Sequence, residues 1–260
     1  MNNRFQCGVF LSHSSKDKPG VCIPTSGDCR DGQPFPKRGR LAQNRSLSGL
    51  KKRIHENEDL VYCYVISTIK RDVHQFRQEG CAPNFQGGRI SLCTCKHYMR
   101  TFMDTNSWRG KWIAGFSGKA VGGGCNALVC LMKVGHAFES HYDLWKSAAI
   151  PFRTKEMKQA THDRFGDLFE PKAKVLRDNE RFDPQNYHPP TRCHCHKETW
   201  NNDIRYEGCK GRNPSLLVGN VKYSFLWDRP VLMTKLKIPR GQKKLTMQEF
   251  LSHLKNWTSK

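Results

Sequence analysis

Short apolar runs recur along this chain, and their spacing predicts a β-sheet in its middle. Residues 60–66 are β-branched and aromatic almost throughout, which predicts a strand that is buried on both faces. Four more short apolar segments are predicted strands: residues 111–116, 127–134, 216–218 and 223–227. The last two are expected to meet at a turn through Gly219 and Asn220, because these residue types favour turns. The glycine-rich stretch from Gly118 predicts a hairpin or loop between two strands.

The clearest helix signal lies near the C-terminus. Thr246 and Glu249 have the spacing of a capping box, in which their side chains satisfy backbone N–H groups of the first turn. The residues that follow place one apolar stripe along a helix: Met247, Phe250, Leu251, Leu254 and Trp257. This stripe predicts an amphipathic helix that packs on the core.

The chain divides by composition near residue 58. Residues 1–58 are punctuated too densely by glycine and proline for long regular elements. We predict an N-terminal extension here, wrapped on the main body or partly disordered, with a helix over about residues 41–58. Residues 59–260 are predicted to form one α+β domain whose mixed sheet curves into a partly closed barrel, backed by the C-terminal helix. The polar residues 151–215 predict no regular element.

The charge of the chain points to a polyanionic partner. There are 44 Lys and Arg residues against 23 Asp and Glu, which gives a net charge of +21, and the mean hydropathy is −0.71. Such an excess attracts nucleic acid, because cations that meet phosphates release condensed counterions. An acidic protein or an anionic membrane are alternatives, and so is a charge that only keeps the protein in solution.

The sequence shows neither a membrane span nor an export signal. No run approaches the about 18–20 apolar residues that a spanning helix needs, and residues 1–20 contain no secretory apolar region. We therefore expect no membrane partner and an intracellular protein, in cytoplasm or nucleus, that is not secreted. In a reducing compartment the 12 cysteines would mostly be buried thiols or metal ligands.

One cluster of cysteine and histidine is a candidate structural zinc site. Its predicted ligands are Cys193, Cys195, Cys209 and His196, with His188 nearby. Thiolate and imidazole are the ligands that zinc prefers, and four of them close a tetrahedral site. However, only one residue separates Cys193 from Cys195, and no second cysteine pair stands at zinc-finger distance. A loop whose cysteine and histidine side chains pack against each other is the alternative.

A resemblance to a known family rests on six blocks that follow one another along the chain: residues 62–66, 82–85, 91–100, 128–134, 217–225 and 240–243. In this order they resemble the second type of nucleotide-modification-associated domain. The resemblance implies an association with nucleotide or DNA modification, and no particular reaction. Three features depart from the family: Lys111 replaces an aspartate, His97 replaces a proline, and residues 67–80 are inserted.

Four residues are candidates for a nucleotide site: Asn84, Lys96, Arg100 and Trp112. Lys96 and Arg100 are expected to contact phosphate, while Asn84 reads a base edge and Trp112 lines a base pocket. Alternatively, Asn84 is a turn residue and the two cations are simply solvated. Binding of nucleic acid or a modified nucleotide is the leading function. The alternatives are an enzyme that modifies a nucleobase through groups such as Cys95, Lys96, His97 or His136, and a basic interaction subunit.

Overall fold

A computed structural model describes residues 33–34, 42–54, 60–72, 75–122, 124–206, 211–232, 236–239 and 241–254. The strands are β1 (Gln33–Pro34), β2 (Ala42–Gln43), β3 (Val61–Ile66), β4 (Ile69–Asp72), β5 (Gln75–Gln78), β6 (Ser91–Leu92), β7 (Trp112–Ser117), β8 (Ala127–Phe138), β9 (Leu216–Leu232) and β10 (Gln242–Leu245). The α-helices are α1 (Leu47–Lys51), α2 (His97–Arg100), α3 (Thr105–Trp108), α4 (His141–Lys146), α5 (Phe152–Glu156), α6 (Asn201–Arg205) and α7 (Met247–His253). Helices and a mixed sheet confirm the α+β class.

A seven-stranded mixed sheet forms the centre of the fold. Its order is β10-β3-β7-β8-β9-β2, and β6 pairs with β9 beside this path. The pairs β3–β7 and β2–β9 are parallel, and the other pairs are antiparallel. The sheet is open, so the prediction of a partly closed barrel was wrong. Its edge strands β10 and β2 lie at opposite ends of the order and do not pair with each other.

The predicted strands are present, but the predicted turn at Gly219 is not. β9 is one strand of 17 residues, whereas two strands joined by a turn were expected. Its pairing with β8 steps from Met132 opposite Ser224 to Val134 opposite Gly219. The residues between therefore form a bulge, in which Ser224 Oγ donates a hydrogen bond of 2.7 Å to the Asn220 carbonyl. A bulge uses the same turn-forming residues without reversing the chain. The segment from Gly118 connects antiparallel β7 and β8, as predicted.

The sheet buries a core on each of its faces. On β3, Tyr62, Tyr64 and Ile66 contribute to one core, and Val61 and Cys63 to the other. The helix α7 covers the second core with its apolar stripe: Met247, Phe250, Leu251 and the following Leu254. Its capping box is present as predicted, because Thr246 Oγ1 accepts a hydrogen bond from the Glu249 N–H and the Glu249 carboxylate accepts one from Thr246 N–H. Trp257 lies outside the described residues.

Residues 42–54 of the predicted extension pack against the edge of the main sheet. Asn44 Nδ2 donates a hydrogen bond of 2.6 Å to Asp228 Oδ1, and Trp227 Nε1 donates one of 3.1 Å to the Arg45 carbonyl. Leu50 and Ile54 are buried, at the helical spacing seen in the sequence. The helix itself is shorter than predicted, at five residues. Apart from β1, residues 1–41 lie outside the described part of the chain.

A layer of short elements between residues 139 and 206 covers one end of the sheet. It contains α4, α5, α6 and a cluster of buried side chains: Tyr142, Ala160, Phe169, Leu176, Tyr187 and Ile204. Polar composition hid α5 and α6, because each is only one or two turns long. A second, three-stranded sheet, with order β1-β5-β4, includes much of the inserted segment 67–80. None of the helices in the described residues is both long enough and apolar enough to span a bilayer.

His141 at the start of α4 makes stability depend on pH. Its Nδ1 accepts a hydrogen bond of 3.3 Å from the Phe169 N–H, and burial lowers its pKa to about 3. The unfolded chain protonates this ring near its ordinary pKa of about 6.5. The stability that depends on neutral His141 is therefore fully present above that pH and is lost as the pH falls toward 3.

Between pH 7.5 and pH 5, His141 alone is expected to lower the free energy of unfolding by about 2 kcal/mol. Urea unfolding at the two pH values measures the loss. In His141→Asn the amide can accept from the same N–H but does not titrate, so the variant should lose about 2 kcal/mol less than the native chain. An identical pH dependence in both proteins would contradict this assignment.

Candidate functional site

A cavity of about 480 Å³ opens beyond the carboxyl end of β3. The end of β3 supplies Tyr64 and Ile66 to its lining, and α6 with the residue after it supplies Asp203 and Tyr206. The segment 94–97, which leads into α2, forms another wall. Small-molecule sites in proteins have volumes of about 300–1,000 Å³, so this cavity is large enough for a nucleotide-sized ligand.

Three thiols and one imidazole meet in the wall of this cavity: Cys81, Cys95, Cys195 and His196. We call them the thiol cluster. The sulfurs of Cys81 and Cys195 lie 2.9 Å apart, and neither cysteine forms a disulfide. Cys95 hydrogen bonds to Cys81 and to the His196 ring. The ligand atoms of Cys81, Cys195 and His196 all lie within 4.8 Å of one another.

Hydrogen bonds set the protonation of the cluster. The hydrogen bonds of Cys81 to Cys195 and Cys95 raise the pKa of the Cys81 thiol well above its usual value. At Cys95 the hydrogen bond from Cys81 has the opposite effect. Together with the hydrogen bond from His196, it lowers the pKa of the Cys95 thiol, although burial alone would raise that pKa. Of Cys81 and Cys95, Cys95 is therefore the thiol that ionises first, and Cys81 is its donor.

A buried carboxylate orients the imidazole of the cluster. Asp203 is 4% exposed, and its Oδ2 lies 2.7 Å from His196 Nδ1 while its Oδ1 lies 2.7 Å from His97 Nε2. Burial alone would raise the pKa of Asp203, but the two histidines lower it overall. His97 in turn stacks on Tyr206, with ring centroids 4.7 Å apart. Because Nδ1 of His196 faces the carboxylate, its Nε2 is the nitrogen that can face a ligand.

Lys96 is the cation in the cavity wall. It precedes α2 with φ at 58°, a left-handed conformation that few residues other than glycine adopt. Its ammonium lies 5.8 Å from the centroid of the Tyr64 ring, and burial lowers its pKa. The left-handed backbone at Lys96 thus turns the chain between Cys95 and the start of α2, and the Lys96 side chain lines the cavity.

The other residues predicted to bind nucleotide lie elsewhere. Asn84 is fully buried; its Nδ2 donates a hydrogen bond of 2.8 Å to the Phe165 carbonyl, and its Oδ1 accepts one from Lys158. Trp112 is fully buried in the core under α7, on the opposite face of the sheet from Tyr64 and the cavity. The structure therefore does not bring these two side chains into the cavity with Lys96.

Arg100 is also fully buried, and its guanidinium binds backbone carbonyls. Its Nε donates to the Cys95 carbonyl at 2.8 Å, and its Nη1 donates to those of Pro214 at 3.1 Å and Ser215 at 2.8 Å. These contacts join α2 to the start of β9. Of the four residues predicted to contact a nucleotide, Lys96 lines the cavity and the other three occupy core positions.

The predicted zinc ligands are only partly together. Cys195 and His196 belong to the thiol cluster, whereas Cys193 is disulfide-bonded and Cys209 lies outside the described residues. Sequence reasoning missed Cys81 and Cys95 as their partners, because 114 residues separate Cys81 from Cys195. The spacing of cysteines along the chain carries no signal for a pairing at that distance.

No family model, curated protein or solved structure matches this chain. The resemblance to the nucleotide-modification-associated domain therefore stays a prediction.

Proposed function

We propose that this protein binds nucleic acid or a modified nucleotide, and that a nucleotide occupies the cavity beside Lys96. The observation that carries the proposal is the position of Lys96 in the wall of a cavity of about 480 Å³, in a chain with a net charge of +21. The overall charge attracts the polyanion, and a partly desolvated ammonium supplies a local partner for one phosphate.

Aromatic side chains beside Lys96 offer surfaces for a base. Tyr206 and His97 both line the cavity and stack on each other. Tyr98, two residues after Lys96, is 53% exposed and packs edge-on against Phe102. Exposed aromatic rings next to basic residues are typical of sites that stack unpaired bases with little sequence preference.

Three of the six blocks that carry the family resemblance contribute to the lining of the same cavity. Residues 62–66 contribute Tyr64, Val65 and Ile66 to its lining, and residues 91–100 contribute the wall from Thr94 to His97. Residues 82–85 contribute Ala82. Three separate segments thus contribute to one site, which supports the proposal that the chain is a member of this family and that its function is exercised here.

The test is a salt titration of binding with a matched pair of variants. Fluorescence anisotropy with labelled single-stranded DNA and RNA should show log affinity falling linearly with log salt concentration. Lys96→Gln should weaken binding and reduce the steepness of this line by about one unit, as expected for a lost phosphate contact. Lys146→Gln removes the same charge from an exposed position outside the cavity lining and should change the slope much less.

Two results would contradict the proposal. One is negligible affinity for DNA, RNA and nucleotides at low ionic strength, since the electrostatic attraction is then strongest. The other is an equal effect of Lys96→Gln and Lys146→Gln, which would assign binding to the overall charge and not to the cavity.

A further inference from the structure

We infer that the thiol cluster holds one zinc ion, with Cys81, Cys95 and Cys195 as thiolate ligands and Nε2 of His196 as the fourth ligand. This goes beyond nucleotide binding, because it assigns a metal centre to the wall of the cavity. Three sulfurs and one imidazole are a common ligand set of structural zinc sites, which are closed by four protein ligands.

The spacing of three of the four ligand atoms, those of Cys81, Cys195 and His196, fits a tetrahedral ion. Sulfur ligands about 2.3 Å from zinc lie about 3.8 Å from one another. The ligand atoms of Cys81, Cys195 and His196 already lie within 4.8 Å of one another, and Cys95 contacts both Cys81 and His196. Binding the ion would move the sulfurs of Cys81 and Cys195, now 2.9 Å apart, away from each other by about 1 Å.

Asp203 gives His196 the orientation of a zinc ligand. Zinc-binding histidines usually donate their second ring N–H to a carboxylate, which fixes the tautomer and the ring plane. His196 Nδ1 lies 2.7 Å from Asp203 Oδ2, so Nε2 is the nitrogen that would bind the metal. His97 Nε2 lies 2.7 Å from the other oxygen of Asp203, so the carboxylate lies between two imidazoles.

The charges of such a site balance within the cavity wall. Binding transfers the protons of three thiols to solvent, and three thiolates with one Zn²⁺ carry a net charge of −1. The ammonium of Lys96, whose electrostatic partner in this wall is Cys95, offsets that charge. Lys96 would therefore face the zinc thiolates on one side and the cavity on the other.

The same groups contain a thiol, an imidazole and a carboxylate in the order of a nucleophile, a base and an orienting acid: Cys95, His196 and Asp203. Such an order occurs in thiol enzymes. The two further thiols, Cys81 and Cys195, favour the metal, because a nucleophile does not need two more thiols in the same cavity wall. Four protein ligands would leave zinc no open position, so we assign the ion a structural role.

Its structural role would be to tie together distant segments of the chain. Cys81 follows the small sheet, Cys95 precedes α2, and Cys195 with His196 lie in the layer that precedes α6. A zinc ion joining them would fix the cavity walls relative to β3. Structural zinc contributes directly to folding free energy, so its removal should loosen this end of the protein.

Metal analysis of the full chain, purified without chelators, tests the inference. We expect the native chain to contain one zinc ion that is missing from each of three variants: Cys81→Ser, Cys95→Ser and Cys195→Ser. Cys125→Ser is the matched control, because Cys125 is a half-buried free thiol outside the cluster. Asp203→Asn should keep all four ligands but weaken zinc binding by about 10–100-fold.

Two further measurements do not require the cysteine variants to fold. Cobalt exchanged into the native chain should give the intense visible and near-ultraviolet bands of tetrahedral thiolate coordination. Alkylation followed by mass spectrometry should find Cys95 protected until a strong chelator is added. Rapid alkylation of Cys95 in untreated protein, a Cys81–Cys195 disulfide, or zinc contents equal in Cys95→Ser and Cys125→Ser would each overturn the inference. These results do not depend on nucleotide affinity, so the zinc site and the proposed function can fail separately.

Discussion

Replacing Lys158 with methionine is expected to lower the free energy of unfolding by about 3–5 kcal/mol, because it leaves a buried carboxylate without its cation. Lys158 and Asp167 are each 1% exposed. The Lys158 ammonium donates to Asn84 Oδ1, to the Arg89 carbonyl at 2.8 Å and to Ser91 Oγ at 2.7 Å. Ser91 Oγ in turn donates to Asp167 Oδ2 at 2.8 Å.

The two charges of this network stabilise each other. Burial lowers the pKa of Lys158, and the nearby Asp167 carboxylate partly restores it. Burial likewise raises the pKa of Asp167, which Lys158 and the hydrogen bond from Ser91 partly offset. If either charge is removed, the other still bears most of its desolvation cost. It then keeps its hydrogen bonds but has lost the attraction of the opposite charge.

Urea unfolding of four proteins checks this prediction. Lys158→Met should lose about 3–5 kcal/mol, while Lys158→Met with Asp167→Asn should recover part of that loss because no net charge stays buried. The exposed Lys146→Met should change stability by less than about 0.5 kcal/mol. A loss below about 1 kcal/mol in Lys158→Met would show that the network contributes little, contrary to the geometry.

The elements that could be predicted from sequence are those with a local signal. The apolar run at residues 60–66 gave β3, and Thr246 with Glu249 gave the start of α7. Gly219 shows the limit of local signals, since turn residues there form a bulge and not a reversal. Whether a strand reverses or bulges depends on its neighbour, in this case the long β8, and not on its own residues.

The candidate site was harder to predict because its residues come from four segments of the chain: residues 64–68, 81–82, 94–97 and 195–206. The sequence singled out Lys96, Cys195 and His196, which all line the cavity. It offered no reason to join them to Cys81, and the single-residue gap between Cys193 and Cys195 hid that only one of the two belongs to the cluster. The residue types at Asn84 and Arg100 also did not indicate that these side chains are buried. A polar side chain can be buried only when the tertiary structure supplies hydrogen-bond partners, and the sequence does not show them.

The effect of replacing Arg100 distinguishes a structural role of this residue from the phosphate contact that the sequence predicts. We expect Arg100→Lys to lower the free energy of unfolding by about 3 kcal/mol, since one ammonium cannot replace a planar group that binds the carbonyls of Cys95, Pro214 and Ser215. At least one of these buried acceptors would lose its donor. If Arg100 instead contacts phosphate, the same charge-conserving change should leave stability almost unaltered and weaken nucleotide binding.

Measuring unfolding and nucleotide affinity on the same Arg100→Lys sample separates these roles, provided that affinity is measured where the variant is folded. The structural role predicts a large loss of stability, with an affinity close to that of the native chain and well above that of Lys96→Gln. A stable variant with weakened binding would instead place Arg100 at the ligand. That result would require α2 to release its bonds to Pro214 and Ser215, because Nη1 of the guanidinium now donates to both of these carbonyls.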